Sequence, residues 1–155
     1  MPNFSAEQKL RDLGIALPPP PTPIATYATA VLSADLLFVS GQGPRASDGS
    51  WRVGKVGDCV DLEQAYEHAR LAGLHLLSAV RTTLGSLDQV VRVVKLTGFV
   101  NCTATFVDHP RVIDGCSDLL ENVFGETGRH ARSAVGVCSL PMNISVEIEA
   151  IFKVR

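Results

Sequence analysis

The sequence predicts a single α+β domain in which a mixed β-sheet carries two helices packed on one face. Three observations predict it. Residues 61–85 and 108–128 place apolar side chains at steps of three and four, the helical period. Val-, Ile- and Phe-rich runs of strand length precede, separate and follow those two stretches. The chain has 155 residues, 46% hydrophobic and 19% charged, which suffices for one buried core and argues against disorder.

Residues 1–23 read as an appendage and 24–155 as the domain proper. Ser5 is a plausible cap for a helix running to Leu17, with Leu10, Leu13 and Leu17 on one side. The proline run Leu17–Pro23 cannot continue a helix and should be extended. Two β-prone runs, Tyr27–Leu32 and Leu36–Ser40, flank "SAD" as in a hairpin. A turn at Asp48-Gly49 precedes a short strand near Trp51–Val53. In the first long helix Leu62, Ala65, Ala69, Ala72, Leu76, Ala79 and Val80 form the apolar stripe. Glu63, Glu67 and Arg70 fall on its polar side, and Gly85 ends it. "SLDQVVRVVKLTGFVNC" is a long strand ending at Cys102. Asp108 caps the second helix and Pro110 sits in its first turn, ahead of Val112, Ile113, Cys116, Leu119, Leu120, Val123 and Phe124. Two closing runs then read as a hairpin, giving the order β-β-β-α-β-α-β-β.

Charge and cysteine usage narrow the function. The net charge is −2, and without a basic block the chain lacks a broad electrostatic footprint for nucleic acid, which is not an expected partner. The start "MPNFSAEQKL" lacks a leader pattern and no apolar stretch could span a bilayer, so a cytoplasmic protein without membrane contact is expected. Cys59, Cys102, Cys116 and Cys138 are scattered, with no Cys-x-x-Cys pair, so no metal site is expected and inert thiols are the default. His68 and His75 lie on the first helix without a metal partner at suitable spacing, and Tyr66 and Trp51 read as packing residues. A mean hydropathy of +0.19 hints at apolar surface hidden between subunits.

The closing segment carries the candidate chemistry. In the last run Ile144, Val146, Ile148, Ala150 and Phe152 alternate with Ser145, Glu147 and Glu149. In the preceding run Ser133, Val135 and Val137 alternate with Arg132, Ala134, Gly136 and Cys138. Matching the apolar sets places Arg132, Ala134 and Gly136 on one outer face with Glu147 and Glu149. Such a group is either an exposed ion pair, contributing about 0–1 kcal/mol, or the floor of a cleft covered by another subunit. In the second case a guanidinium grips a carboxylate through two parallel hydrogen bonds. The pattern leaves both open.

Three stretches in order resemble the RidA family, also called YjgF and L-PSP endoribonuclease. They are "FVSGQGP" at 38–44, "HARSAVGVCSLP" at 130–141 and "VEIEAIFKV" at 146–154, and the resemblance covers about residues 24–155. It implies a chorismate-mutase-like two-layer fold, a homotrimer, and clefts between subunits that hydrolyse 2-imino acids to 2-oxo acids and ammonia. By position in the motifs, Arg132 would bind the substrate carboxylate and Glu147 would activate water. Tyr27, Ser40, Gly41, Ser117, Ala134 and Cys138 complete the expected substrate-binding set, with no cofactor. Ala134 stands where the family often has cysteine. The family's helix asparagine has no clear match, Ser117 or Gly115 being nearest. The loop before Arg132 is shorter, and Arg129 and His130 replace an aromatic and a proline. These departures and the N-terminal extension mark a side branch. A non-enzymatic trimer binding a small carboxylate metabolite or a partner protein is the alternative, with a ribonuclease third. His130 reads as a loop residue without a role, and Arg129 as a surface or intersubunit charge.

Overall fold

A computed structural model describes residues 5–23 and 25–155; Ile24, the expected start of the domain proper, lies outside the described residues. One five-stranded sheet has the order β1 (Ala30–Ser33), β2 (Leu36–Gln42), β5 (Val146–Val154), β3 (Val90–Asn101) and β4 (Ala131–Val137). All neighbours are antiparallel except β3 and β4, which run parallel. Helices α2 (Leu62–Leu84) and α3 (His109–Phe124) cover one face, and a short α1 (Ala6–Asp12) packs beside them.

Each long helix forms where its apolar stripe requires. Asp61 and Gln64 close a reciprocal capping box at the start of α2, and Gly85, at φ 81, ends it. Ala65, Ala69, Ala72, Leu76 and Val80 are fully buried against Leu37, Leu96, Ile148 and Phe152 of the sheet and Ile113 and Leu120 of α3. The two helices approach so closely that a Cβ on Gly115 would overlap the Tyr66 carbonyl oxygen and lie 2.9 Å from its carbon.

The closing runs are not a hairpin. β3 continues through α3 into β4 as a crossover between parallel neighbours, and β5 then inserts between β2 and β3. The link from β4 to β5 is long enough to pass β3, and turns through Met142 and Asn143 at φ 55 and 58. Side-chain alternation fixes a strand's faces but not its neighbours, so the sequence pattern could not exclude the hairpin.

Smaller differences follow from local hydrogen bonding. The expected strand near Trp51–Val53 is reduced to isolated bridges, Arg45 to Trp51 and Val53 to Ile144. The first strand spans Ala30–Ser33 rather than Tyr27–Leu32. Helix α1 stops at Asp12, before Gly14 at φ 65, rather than at Leu17. Asp108 precedes α3 without a side-chain cap bond. The N-terminal segment docks: Ser5 Oγ donates to Asp88 at 3.0 Å, Glu7 accepts from the Leu87 N–H at 2.9 Å, and Ala6 and Leu10 are buried. Among the described residues no helix is long and apolar enough to cross a membrane.

Candidate active site

Arg132 projects toward α3, not outward. Leu96 of β3 pairs with Arg132 on one side and Ala150 on the other, and both Leu96 and Ala150 are buried under the helices. Thr97 pairs with Ser133 and Glu149, and Phe99 with Val135 and Glu147, which puts those residues on the opposite face. The expected grouping of Arg132, Ala134 and Gly136 with the two glutamates is therefore overturned. The cause is steric. A Cβ on Gly136 would lie 2.8 Å from Cys102 Sγ and 3.0 Å from His109 Cδ2, and one on Gly98 would lie 2.5 Å from Ile113. At Gly98 and Gly136 the sheet must present bare backbone to α3, so Val135 and Val137, which alternate with Gly136, face away.

Pro110, Asp114 and Ser117 recur at helical spacing along α3 and hold the guanidinium. Nη1 donates to Asp114 Oδ1 at 2.7 Å and to Ser117 Oγ at 3.0 Å, and Nη2 donates to the Pro110 carbonyl at 3.3 Å. Ser117 links onward to His130, whose Nε2 lies 3.1 Å away. His130 Nδ1 is 2.6 Å from the Gly128 carbonyl, which only accepts, so Nδ1 carries the proton and Nε2 accepts from the serine hydroxyl. Burial holds the His130 pKa below its ordinary value, and the Arg132 charge adds to the effect. His130 thus has a structural role that its loop position concealed. Arg132 is 22% exposed and Asp114 46%. Among the described residues Nε has no protein acceptor and Nη2 has a single one, so the guanidinium keeps donors for a carboxylate.

Glu147 occupies the outer face beside a break in β2. Pairing of β2 with β5 shifts between Val39 and Gln42, and Ser40 and Gly41 fill the irregularity. Ser40 donates its hydroxyl to the Ala28 carbonyl at 2.6 Å. The Glu147 side chain folds over bare Gly41, where a Cβ would lie 2.9 Å from Cδ. Burial, and then the neighbouring Glu149, raise the Glu147 pKa above the usual carboxylate value. Beside it a cleft of ≈ 250 Å³ is lined by Phe38, Ser40, Lys95, Thr97, Glu149 and Ile151. Lys95, not Arg132, brings positive charge to this face, with Nζ 2.8 Å from Ser133 Oγ.

The other expected residues divide between these two places and neither. Ser117 contacts Arg132, and Gly41 lies under Glu147. Ala134 follows Arg132 on the helix-facing side and packs against the core. Tyr27 is 48% exposed ahead of β1. Cys138 lies six residues along from Arg132, about 20 Å for extended chain, where its carbonyl accepts from Lys55. Asp114 is not among the residues expected from the sequence, although its spacing from Ser117 on α3 is a signal for it. Burial raises the thiol pKa of Cys102, and pushes that of Cys116 up to about 12. His68 and His75 bond Ser145 Oγ at 2.8 Å and the Arg45 carbonyl at 2.9 Å. Arg129 pairs with Glu121 at 3.0 Å. A larger open groove of ≈ 510 Å³ along α2, lined by Arg52, Glu67, His68 and Arg70, touches neither Arg132 nor Glu147.

A mixed five-stranded sheet with helices on one face, an arginine clamped under α3 and a half-buried glutamate on the last strand define a chorismate-mutase-like α+β protein. The chain belongs to the YjgF, or RidA, family: the model for that family, described as "YjgF/chorismate mutase-like, putative endoribonuclease", matches residues 7–152. The chain is 41% identical over 147 residues to Protein TCP17 of Trypanosoma cruzi, covering 94% of this chain and 92% of the relative. It is 30% identical over 138 residues to a 2-iminobutanoate/2-iminopropanoate deaminase of Dermatophagoides farinae, covering 88% and 92%. A protein of known crystal structure from Agrobacterium tumefaciens superimposes with a TM-score of 0.88 at 44% identity, covering 97% of this chain and 94% of that one.

Proposed function

We propose that this protein hydrolyses small 2-imino acids to 2-oxo acids and ammonia, in clefts completed between protomers of a homotrimer. The observation that carries this is an arginine held by Asp114, Ser117 and Pro110 that keeps Nε and one Nη2 hydrogen without a protein acceptor among the described residues. The named activity of the mite relative supports it. Arg132 and Glu147 lie on opposite faces of one sheet, so a site using both takes them from two chains. Phe38, Val31 and Val135, each about half exposed on the outer face, supply apolar surface for that association.

In this scheme the substrate carboxylate accepts from the remaining donors of Arg132, which fixes the position of the iminium carbon. Glu147 of the neighbouring protomer takes a proton as water adds to that carbon. Its raised pKa makes it a better base than an ordinary surface carboxylate. Glu147 passes that proton to nitrogen and then takes the hydroxyl proton as the carbonyl forms and the C–N bond breaks, and ammonia leaves with the 2-oxo acid.

One observation favours the non-enzymatic alternative. Asp114 already neutralises Arg132 within the chain, as in a structural ion pair. Measuring 2-oxobutanoate release from freshly generated 2-iminobutanoate decides between the two. Arg132→Ala should reduce kcat/KM about 100-fold or more. Equal rates for wild type and variant sink the enzymatic proposal.

A further inference from the structure

Arg132 opens a chain of hydrogen bonds that all run one way. Nη1 donates to Ser117 Oγ at 3.0 Å, the Ser117 hydroxyl donates to His130 Nε2 at 3.1 Å, and His130 Nδ1 donates to the Gly128 carbonyl at 2.6 Å. Donors aligned in series polarise one another. The last acceptor cannot drift, because Gly128 is pressed onto α3. A Cβ there would overlap the Leu120 carbonyl oxygen and lie 2.8 Å from its carbon. Burial favours the neutral imidazole, so Nε2 remains an acceptor at neutral pH.

The other partner of Nη1 is less able to fix it. The Asp114 side chain is 46% exposed, so water competes for its oxygens. Ser117 in turn holds a donor firmly only while its own proton is committed elsewhere. Without His130 that proton would turn onto the carbonyl four residues back, as mid-helix serines do, and carry the lone pairs away from Nη1.

We propose that His130, acting through Ser117, is a positioning residue for Arg132: it orients the serine hydroxyl so that the guanidinium keeps Nε and one Nη2 hydrogen aimed at the substrate carboxylate. The inference rests on the proposed function and adds to it a residue at one remove from the reacting groups. Its effect falls on carboxylate binding, an interaction made in the ground state and the transition state alike.

Steady-state hydrolysis of freshly generated 2-iminobutanoate tests this, with thermal unfolding in parallel. His130→Phe fills the space but offers no acceptor, and should lower kcat/KM about tenfold, mostly through KM. Ser117→Ala should cause the same loss. Glutamine places a carbonyl oxygen about where Nε2 stands, so His130→Gln should recover to within about threefold of wild type. Combining Ser117→Ala with His130→Phe should cost no more than either alone, because both cut one chain. A wild-type KM in His130→Phe, a His130→Gln as impaired as His130→Phe, or losses that multiply in the double variant would overturn the positioning role. Should His130→Phe fail to fold, an unimpaired Ser117→Ala overturns it by itself. If Arg132→Ala is impaired and the His130 and Ser117 variants are not, the inference fails alone. If wild type and Arg132→Ala turn over alike, the proposed function falls and takes the inference with it.

Discussion

Replacing Gly41 by alanine should disable catalysis while leaving the fold intact. Glu147 folds directly over Gly41, and a Cβ there would lie 2.9 Å from Cδ and 3.0 Å from Cγ, overlapping Oε1. Ordinary contact distances require the carboxylate to retreat by about 1 Å. The obstacle is the far end of a flexible side chain and Gly41 does not have a positive φ, so the backbone need not move. Misplacing a reacting group by about 1 Å costs on the order of 100-fold, and this loss should fall on kcat. The melting temperature should stay within about 3 °C of wild type. The assay is 2-oxobutanoate release at saturating imine, with thermal unfolding in parallel and Glu147→Gln as reference. A Gly41→Ala enzyme with undiminished kcat, alongside a crystal structure showing Glu147 displaced, would refute the placement of the base.

Other perturbations separate stability from chemistry. Gly115→Ala sets a methyl group against the Tyr66 backbone, where neither helix can yield, and should destabilise by about 3 kcal/mol in urea titration. Glu149→Gln removes a like charge that raises the Glu147 pKa, so the acid limb of the pH–rate profile should move to lower pH. An unmoved limb would show that Glu147 does not set it. Burial lowers the His75 pKa below 6.5 in the folded state, so the unfolded chain binds protons preferentially. Stability from this site is complete above pH 6.5 and declines as pH falls below it, and His75→Gln should flatten that decline between pH 7.5 and 5.5.

The sequence revealed most where one element's pattern sufficed. The stripes from Leu62 to Val80 and from Val112 to Phe124 bury as their spacing requires, and Gly85 stops α2 where expected. It revealed less where two distant segments share a surface. Whether Arg132 faces α3 or the outside depends on which strand lies beside β4, and that is settled by the crossover through α3. Asp114 and His130 are ordinary in sequence, and only folding brings them to one guanidinium through Ser117. The Ser-Gly-Gln stretch stands out as a motif, and its physical reason is steric. Gly41 leaves room for a glutamate more than 100 residues later in the chain.

The central claim is that one protomer's Arg132 and another's Glu147 complete a shared site, and subunit mixing tests it most directly. Arg132→Ala and Glu147→Gln are each expected to be inactive alone. Refolded together in equal amounts, they should regain on the order of a quarter of wild-type activity, because that share of clefts in randomly mixed trimers pairs two intact groups. A mixture as inactive as its components, or a chain that sediments as a monomer, would contradict the account.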